Sequence, residues 1–142
     1  MPTSAEAALF LVDTSVAVPL VAADHVHHEA VLAAVEGRRL GLAGHAAFET
    51  FSVLTRLPAP ARRTPPTVGR LLSTSFPDTR FLSPERTRVL LAEMGDRGLA
   101  GGSVYDALVA CAAVEHGARL LSRDQRALSI YRQLNVDVEL LS

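Results

Sequence analysis

The chain has 142 residues, 49% of them apolar and 20% charged, with a net charge of −1. That length suits one domain, that balance excludes a disordered chain, and the near-zero charge excludes the broad basic surface of a general nucleic-acid binder. No apolar run approaches the roughly 20 residues that cross a bilayer, and Met1 to Glu6 lack the basic cluster and apolar core of a targeting peptide, so a soluble intracellular domain is expected.

In chain order, Leu9 to Val12 is apolar on both alternating sides, the pattern of a strand buried on both faces. It stops at Asp13, Thr14 and Ser15, and a helix runs from Thr14 to Val21 around Pro19. Asp24 is placed to cap a second helix through Val35, closed by Gly37. Leu40 to Ala43 is the second strand, and Gly44 to Leu57 is the third helix, stopped by Pro58. Residues 58 to 66, with four of the eight prolines and two arginines, form a rigid surface turn. A fourth helix spans Thr67 to Ser75, and a third strand spans Arg80 to Leu82. Pro84 opens a fifth helix with Leu90, Leu91 and Met94 inward, ending at Gly98.

Gly101 and Gly102 lead into the sixth helix, Val104 to His116. Between Ala107 and Val114 it is apolar on every face and must be buried nearly all round. Cys111, the single cysteine, lies in this run and reads as a core thiol in a reducing cytoplasm. Arg119 to Leu121 is the fourth strand, Gln125 to Leu134 the seventh helix and Val136 to Leu140 the last strand. The alternation predicts one α/β domain over residues 1–142, three layers deep (α/β/α), with a central, mainly parallel sheet of about five strands and right-handed crossovers.

In such a sheet ligands sit beyond the carboxyl ends of the strands. Asp13 stands there, and so does Asp124, after Leu120-Leu121-Ser122-Arg123. Either acid alone serves equally well as a helix cap, but two central strands each ending in Asp would bring both to one edge. Asp106 follows Ser103 at capping-box spacing, where it also complements the helix dipole. Glu49 shares a helical face with His45, Ser52, Val53 and Arg56, which by periodicity is a solvated face. Gathered together, four carboxylates would repel, and some would stay protonated unless a cation intervened. Carboxylates without His or Cys suit Mg²⁺ or Mn²⁺ rather than zinc. Such ions bridge phosphate oxygens and make a bound water acidic enough to attack a phosphodiester.

Every one of the 14 basic residues is Arg, the side chain whose rigid fork matches phosphate. Once four of the 15 acids are assigned to a metal site, 11 face those 14 arginines, and the remaining surface is mildly basic. His25, His27, His28 and Glu29 sit close together, but no Cys or distant His pair completes a metal site, and a solvated helix face explains them. Gly98 to Gly102 precedes a helix but lacks the strand and Lys of a phosphate loop. A receiver-type domain would need paired acids after the first strand, and a haloacid-dehalogenase phosphatase would need Asp where Ser15 stands.

Leu11-Val12-Asp13-Thr14-Ser15 and the run Phe48-Glu49-Thr50-Phe51-Ser52-Val53-Leu54-Thr55-Arg56-Leu57-Pro58 resemble the PIN-domain ribonucleases of the VapC toxin type. Tyr105-Asp106-Ala107-Leu108-Val109-Ala110 and Leu121-Ser122-Arg123-Asp124 resemble that family's third and fourth acidic motifs, in the right order along nearly the whole chain. The resemblance implies a metal-dependent endoribonuclease in which Asp13, Glu49, Asp106 and Asp124 hold Mg²⁺ or Mn²⁺, overriding the periodicity reading of Glu49. Thr14 or Ser15, with Ser122, would orient the carboxylates through hydrogen bonds. It further implies an RNA substrate such as tRNA or rRNA, a cognate VapB-type antitoxin, a homodimer and a cytoplasmic location. The antitoxin is expected to lay a helix between the second, third and fourth helices. Where family members often carry another acid, two residues after the fourth, this chain has Arg126, which weakens the case for a second metal. The alternatives are a PIN-fold module that binds RNA or protein without cutting, and a phosphatase on a similar scaffold.

Overall fold

The computed structural model describes residues 7–142; Met1 to Glu6, read above as no targeting segment, lie outside the described residues. Strands β1 (Leu9–Val12), β2 (Arg39–Leu42), β3 (Arg119–Ser122) and β4 (Val138–Leu140) form one sheet in the order β2-β1-β3-β4, and every pairing is parallel. Seven helices flank it: α1 (Thr14–Val21), α2 (His28–Val35), α3 (Ala46–Arg56), α4 (Pro65–Ser75), α5 (Pro84–Glu93), α6 (Ser103–Glu115) and α7 (Leu128–Gln133).

Alternation along the central strands divides the core. Leu11 and Leu120 face a cluster with Ala107, Ala110 and Ala113 of α6, while Val12 and Leu121 face Val16 and Ala17 of α1 and Val31 of α2. Both faces are covered, which is the burial that a near-continuous apolar strand requires. The alanines of α6 carry almost no side-chain bulk, so that helix lies close over the sheet.

The sheet has four strands rather than about five, because the run at Arg80 to Leu82 makes a single bridge, Ala43 to Arg80. The Arg80 N–H bonds the Leu42 carbonyl and the Gly44 N–H bonds the Arg80 carbonyl, but the Thr79 hydroxyl, not a backbone carbonyl, accepts from the Leu42 N–H. Ser83 then caps α5 through the Arg86 N–H, with Pro84 in its first turn, so the chain turns into a helix before a ladder can grow.

Other expectations shift for equally local reasons. Asp24 caps no helix, since α2 starts only at His28; its carboxylate pairs with Arg63 at 2.9 Å. Leu91 points outward, 70% exposed, and Leu90 alone is buried along α5. Ser103 does not close a capping box with Asp106, because its hydroxyl bonds back to the Ala100 carbonyl and N–H.

Gly41 has a definite steric role. A Cβ there would collide with the Asp78 carbonyl, where the chain runs back along β2. Gly41→Ala is therefore expected to destabilise the protein by on the order of 2 kcal/mol, measured by urea unfolding, through overpacking that neighbouring backbone cannot relieve. An unchanged midpoint would show that the 78–80 segment moves freely.

Candidate active site

β1 and β3 are the two central strands, with Val12 level with Leu121, so their carboxyl ends open side by side. Asp13 leaves β1 in extended conformation at the N-cap of α1, yet its carboxylate makes no cap hydrogen bond. Three hydroxyls hold it instead. Ser15 donates to Oδ1 at 2.5 Å, while Ser122 at 2.5 Å and Tyr131 at 2.8 Å donate to Oδ2. The two serines also accept from the loop that leaves β3: the Arg123 N–H bonds Ser15 Oγ at 2.7 Å, and the Asp124 N–H bonds Ser122 Oγ at 3.0 Å. The 122–124 backbone and the Asp13 side chain are thereby held by the same two hydroxyls.

Asp13 is 5% exposed. Burial raises its pKa, against the lowering effect of the hydroxyls of Ser122, Ser15 and Tyr131. Asp106 lies in the first turn of α6, and its pKa is pushed up to about 6, first by burial and then by the charges of Asp124, Glu49 and Asp13. Glu49, in the first turn of α3, is also raised, by burial and by the charge of Asp13, against the pull of His45. Its carboxylate lies 3.5 Å from His45 Nε2. The Thr14 hydroxyl faces Glu49 and favours its charged form without making a full hydrogen bond, and it has no other partner. Asp124 accepts from the Arg126 N–H at 2.9 Å, which braces the turn, and its charge acts on Asp106.

The charges of Asp13, Glu49 and Asp124 all reach Asp106, so the four acids share one region at the carboxyl end of the sheet. Among the described residues, no three acidic, histidine or cysteine side chains are close enough to form a ready-made metal cage. The donor set fits a hard divalent cation: all oxygen, one member desolvated, and one whose charge is opposed by its neighbours. Mg²⁺ in particular keeps several waters and needs only one or two direct carboxylates.

The Glu49 face is not the plain solvated face that periodicity suggests. His45, Phe48, Glu49, Ser52, Val53 and Arg56 line one concavity with Tyr105 of α6. Helical spacing alone cannot reveal that α6 stands opposite. His45 stacks on Tyr105 with ring centres 4.8 Å apart. Tyr131 was not legible as a site residue at all; its position between Ile130 and Arg132 in a mixed helix gave no signal beyond core packing. Thr14 and Ser15 divide the roles left open between them, Ser15 serving Asp13 and Thr14 facing Glu49. His28 is occupied by the Pro19 carbonyl at 2.8 Å, and His25 by the His27 N–H at 3.0 Å.

Comparison with known proteins agrees with this architecture. The model of the PIN domain matches residues 10–133. Ribonuclease VapC27 of Mycobacterium tuberculosis (strain ATCC 25618 / H37Rv) is 46% identical over 127 residues, covering 89% of this chain and 93% of that protein. Ribonuclease VapC40 of Mycobacterium tuberculosis (strain CDC 1551 / Oshkosh) is 42% identical over 132 residues, covering 92% and 97% respectively. A PIN-domain match over most of the chain, joined to relatives of this identity along nearly their full length, means that the chain belongs to the PIN domain family, among the VapC ribonucleases.

Proposed function

We propose that this protein is a metal-dependent endoribonuclease, the toxin of a VapBC-type pair, which hydrolyses RNA phosphodiester bonds. The observation that carries the reading is the convergence of Asp13, Glu49, Asp106 and Asp124 at the carboxyl edge of β1 and β3, with Asp13 buried and held by three hydroxyls. The names of the two mycobacterial relatives support the nuclease class.

Asp13, Asp106, Asp124 and Glu49 would hold Mg²⁺ or Mn²⁺. When bound, that ion supplies charge for the phosphate oxygens and an acidified water as nucleophile. The chain's own residues do the rest. Ser15, Ser122 and Tyr131 fix the Asp13 carboxylate before substrate arrives. Asp106, whose pKa is pushed up to about 6, ionises near that pH, and a bound cation would extend its charged form to lower pH. Arg126 is almost fully exposed beside Asp124, and with Arg123 it can meet the flanking RNA phosphates.

The test is direct: the purified chain is expected to cut RNA with Mg²⁺ or Mn²⁺ and to lose the activity in EDTA. Intact RNA under both conditions would favour the non-cleaving binding module. Glu49→Gln is expected to lower cleavage roughly 10- to 100-fold and to weaken metal binding, with little change in melting temperature. An unaffected variant would return Glu49 to a solvent-facing role and leave the reaction to the three aspartates.

The antitoxin is proposed to be a small VapB-type protein acting in the cytoplasm, where its toxin meets tRNA or rRNA. The open groove available to an apolar helix lies between α1, α2, β2 and the end of α4, lined by Leu20, His28, Leu32, Leu40 and Ser75, rather than between α2, α3 and α4 as the sequence suggests. The homodimer is proposed on a different surface. Phe48, Phe81 and Tyr105 are 64%, 51% and 50% exposed, and ring contacts join Phe81 to Phe48, Phe48 to His45 and His45 to Tyr105. Exposed apolar clusters of this kind favour an interface. Light scattering on the purified chain is expected to give twice the 15.1 kDa chain mass, and a monomer mass at high concentration would overturn the dimer.

A further inference from the structure

Tyr131 sits on α7, 118 residues from the carboxylate it touches, and belongs to the cluster on the α6 face of the sheet. It is 1% exposed, and its hydroxyl donates to Asp13 Oδ2 at 2.8 Å. Burial and the Asp13 charge raise the pKa of this phenol, so it stays a donor. A tyrosine needed only for packing could be a phenylalanine.

The lone pairs of Asp13 can be counted. An ionised carboxylate has about four acceptor sites, two on each oxygen. Ser122 and Tyr131 take both sites of Oδ2, and Ser15 takes one of Oδ1. The nearby Val16 N–H is committed to the Asp13 backbone carbonyl. One acceptor site is left, on Oδ1.

We propose that Tyr131 is a positioning residue for the reaction: with Ser122 it saturates Oδ2, so that Asp13 presents the divalent cation with Oδ1 alone. This inference rests on the metal-dependent reading above. Without the Tyr131 hydroxyl, Oδ2 regains a free lone pair, the carboxylate can rotate or bind through both oxygens, and the orientation set by Ser15 is no longer enforced. Tyr131 is too deeply buried to touch substrate, so its loss leaves the substrate-facing surface unchanged. α7 begins four residues after Asp124, so one segment supplies both an acid of the site and the group that orients another.

Tyr131→Phe keeps the ring and removes only the hydroxyl. Mn²⁺ affinity, read by electron paramagnetic resonance of free Mn²⁺, is expected to fall roughly 10- to 100-fold, as for other lost partners of a ligating group. At saturating metal, kcat for RNA cleavage is expected to fall while KM stays within twofold. A second measurement leaves the fold unaltered. The chain has two tyrosines, so 3-fluorotyrosine labelling gives two ¹⁹F resonances, assigned with Tyr105→Phe. Mg²⁺ is expected to move the Tyr131 resonance in the otherwise unsubstituted protein, and not in Asp13→Asn. If the unsubstituted protein binds no Mn²⁺, the metal centre itself is overturned and this inference with it. If it binds Mn²⁺ but Tyr131→Phe binds within twofold of it, or the Tyr131 resonance does not respond to Mg²⁺, the role of Tyr131 alone is overturned.

Discussion

Purified Asp13→Asn protein is expected to remain folded and to lose RNA cleavage by on the order of a thousandfold or more. A metal supplies several kcal/mol of transition-state stabilisation, and each 1.36 kcal/mol is a factor of ten. Asn keeps the shape of the side chain. Its amide oxygen can take the place of Oδ2 and accept from Ser122 and Tyr131, while its NH₂ donates to Ser15, whose hydroxyl is free to rotate. The substitution also removes a charge that burial disfavours. The melting temperature of the metal-free protein should therefore hold or rise as cleavage collapses. Loss of both would mean that Asp13 is chiefly structural, and undiminished cleavage would sink its catalytic assignment.

The second large effect links pH and metal. Metal-free protein is expected to lose stability as pH rises from 5 to 7, and divalent cations are expected to reverse the trend. Asp106 has a pKa of about 6 in the folded protein against 3.8 for an unperturbed aspartate, and Asp13 and Glu49 shift in the same direction. A raised carboxylate pKa means that the folded state holds a proton the unfolded chain releases, so stability is fully present below the unfolded value and lost as pH passes through the folded one. Asp24, Asp78, Glu115 and Glu139 have lowered pKa values through Arg63, Arg39, Ser83 and Arg38 respectively. Their contribution has the opposite sign and is lost only at more acid pH.

Allowing for solvent screening at the partly exposed Asp106, the loss between pH 5 and 7 is about 1 kcal/mol. A cation at 100 times its dissociation constant adds about 2.7 kcal/mol, and only to the folded state. Thermal melts at both pH values, in EDTA and in Mn²⁺, measure both terms. Stability that rises with pH in EDTA would contradict the mutual repulsion of the site acids. Asp106→Asn should flatten the EDTA profile.

The local parts of this protein were legible in the sequence because their causes are local. An apolar run that ends in Asp-Thr-Ser makes β1 and places Asp13 at its carboxyl end. Ser83 and Pro84 start α5 wherever the chain goes next. Asp124 could be linked to Asp13 because parallel central strands align their ends, and β1 and β3 do so at Val12 and Leu121.

What the sequence could not decide were the relations set by packing. Helical periodicity marks Glu49 as exposed because it says nothing of Tyr105, which α6 brings across the same concavity. Arg80 to Leu82 has strand-like residues, but the edge of β2 offers a bridge at Arg80 and then gives way to α5. Leu91 looks like core beside Leu90, yet α5 turns only one of them inward. Tyr131 is the clearest case. Beside Leu128 and Ile130 a tyrosine is ordinary core, and only the docking of α7 against the sheet puts its hydroxyl on Asp13. Dihedral preferences, caps and strand ends are written in neighbouring residues, whereas a hydrogen bond between residues 13 and 131 exists only once the whole sheet has closed.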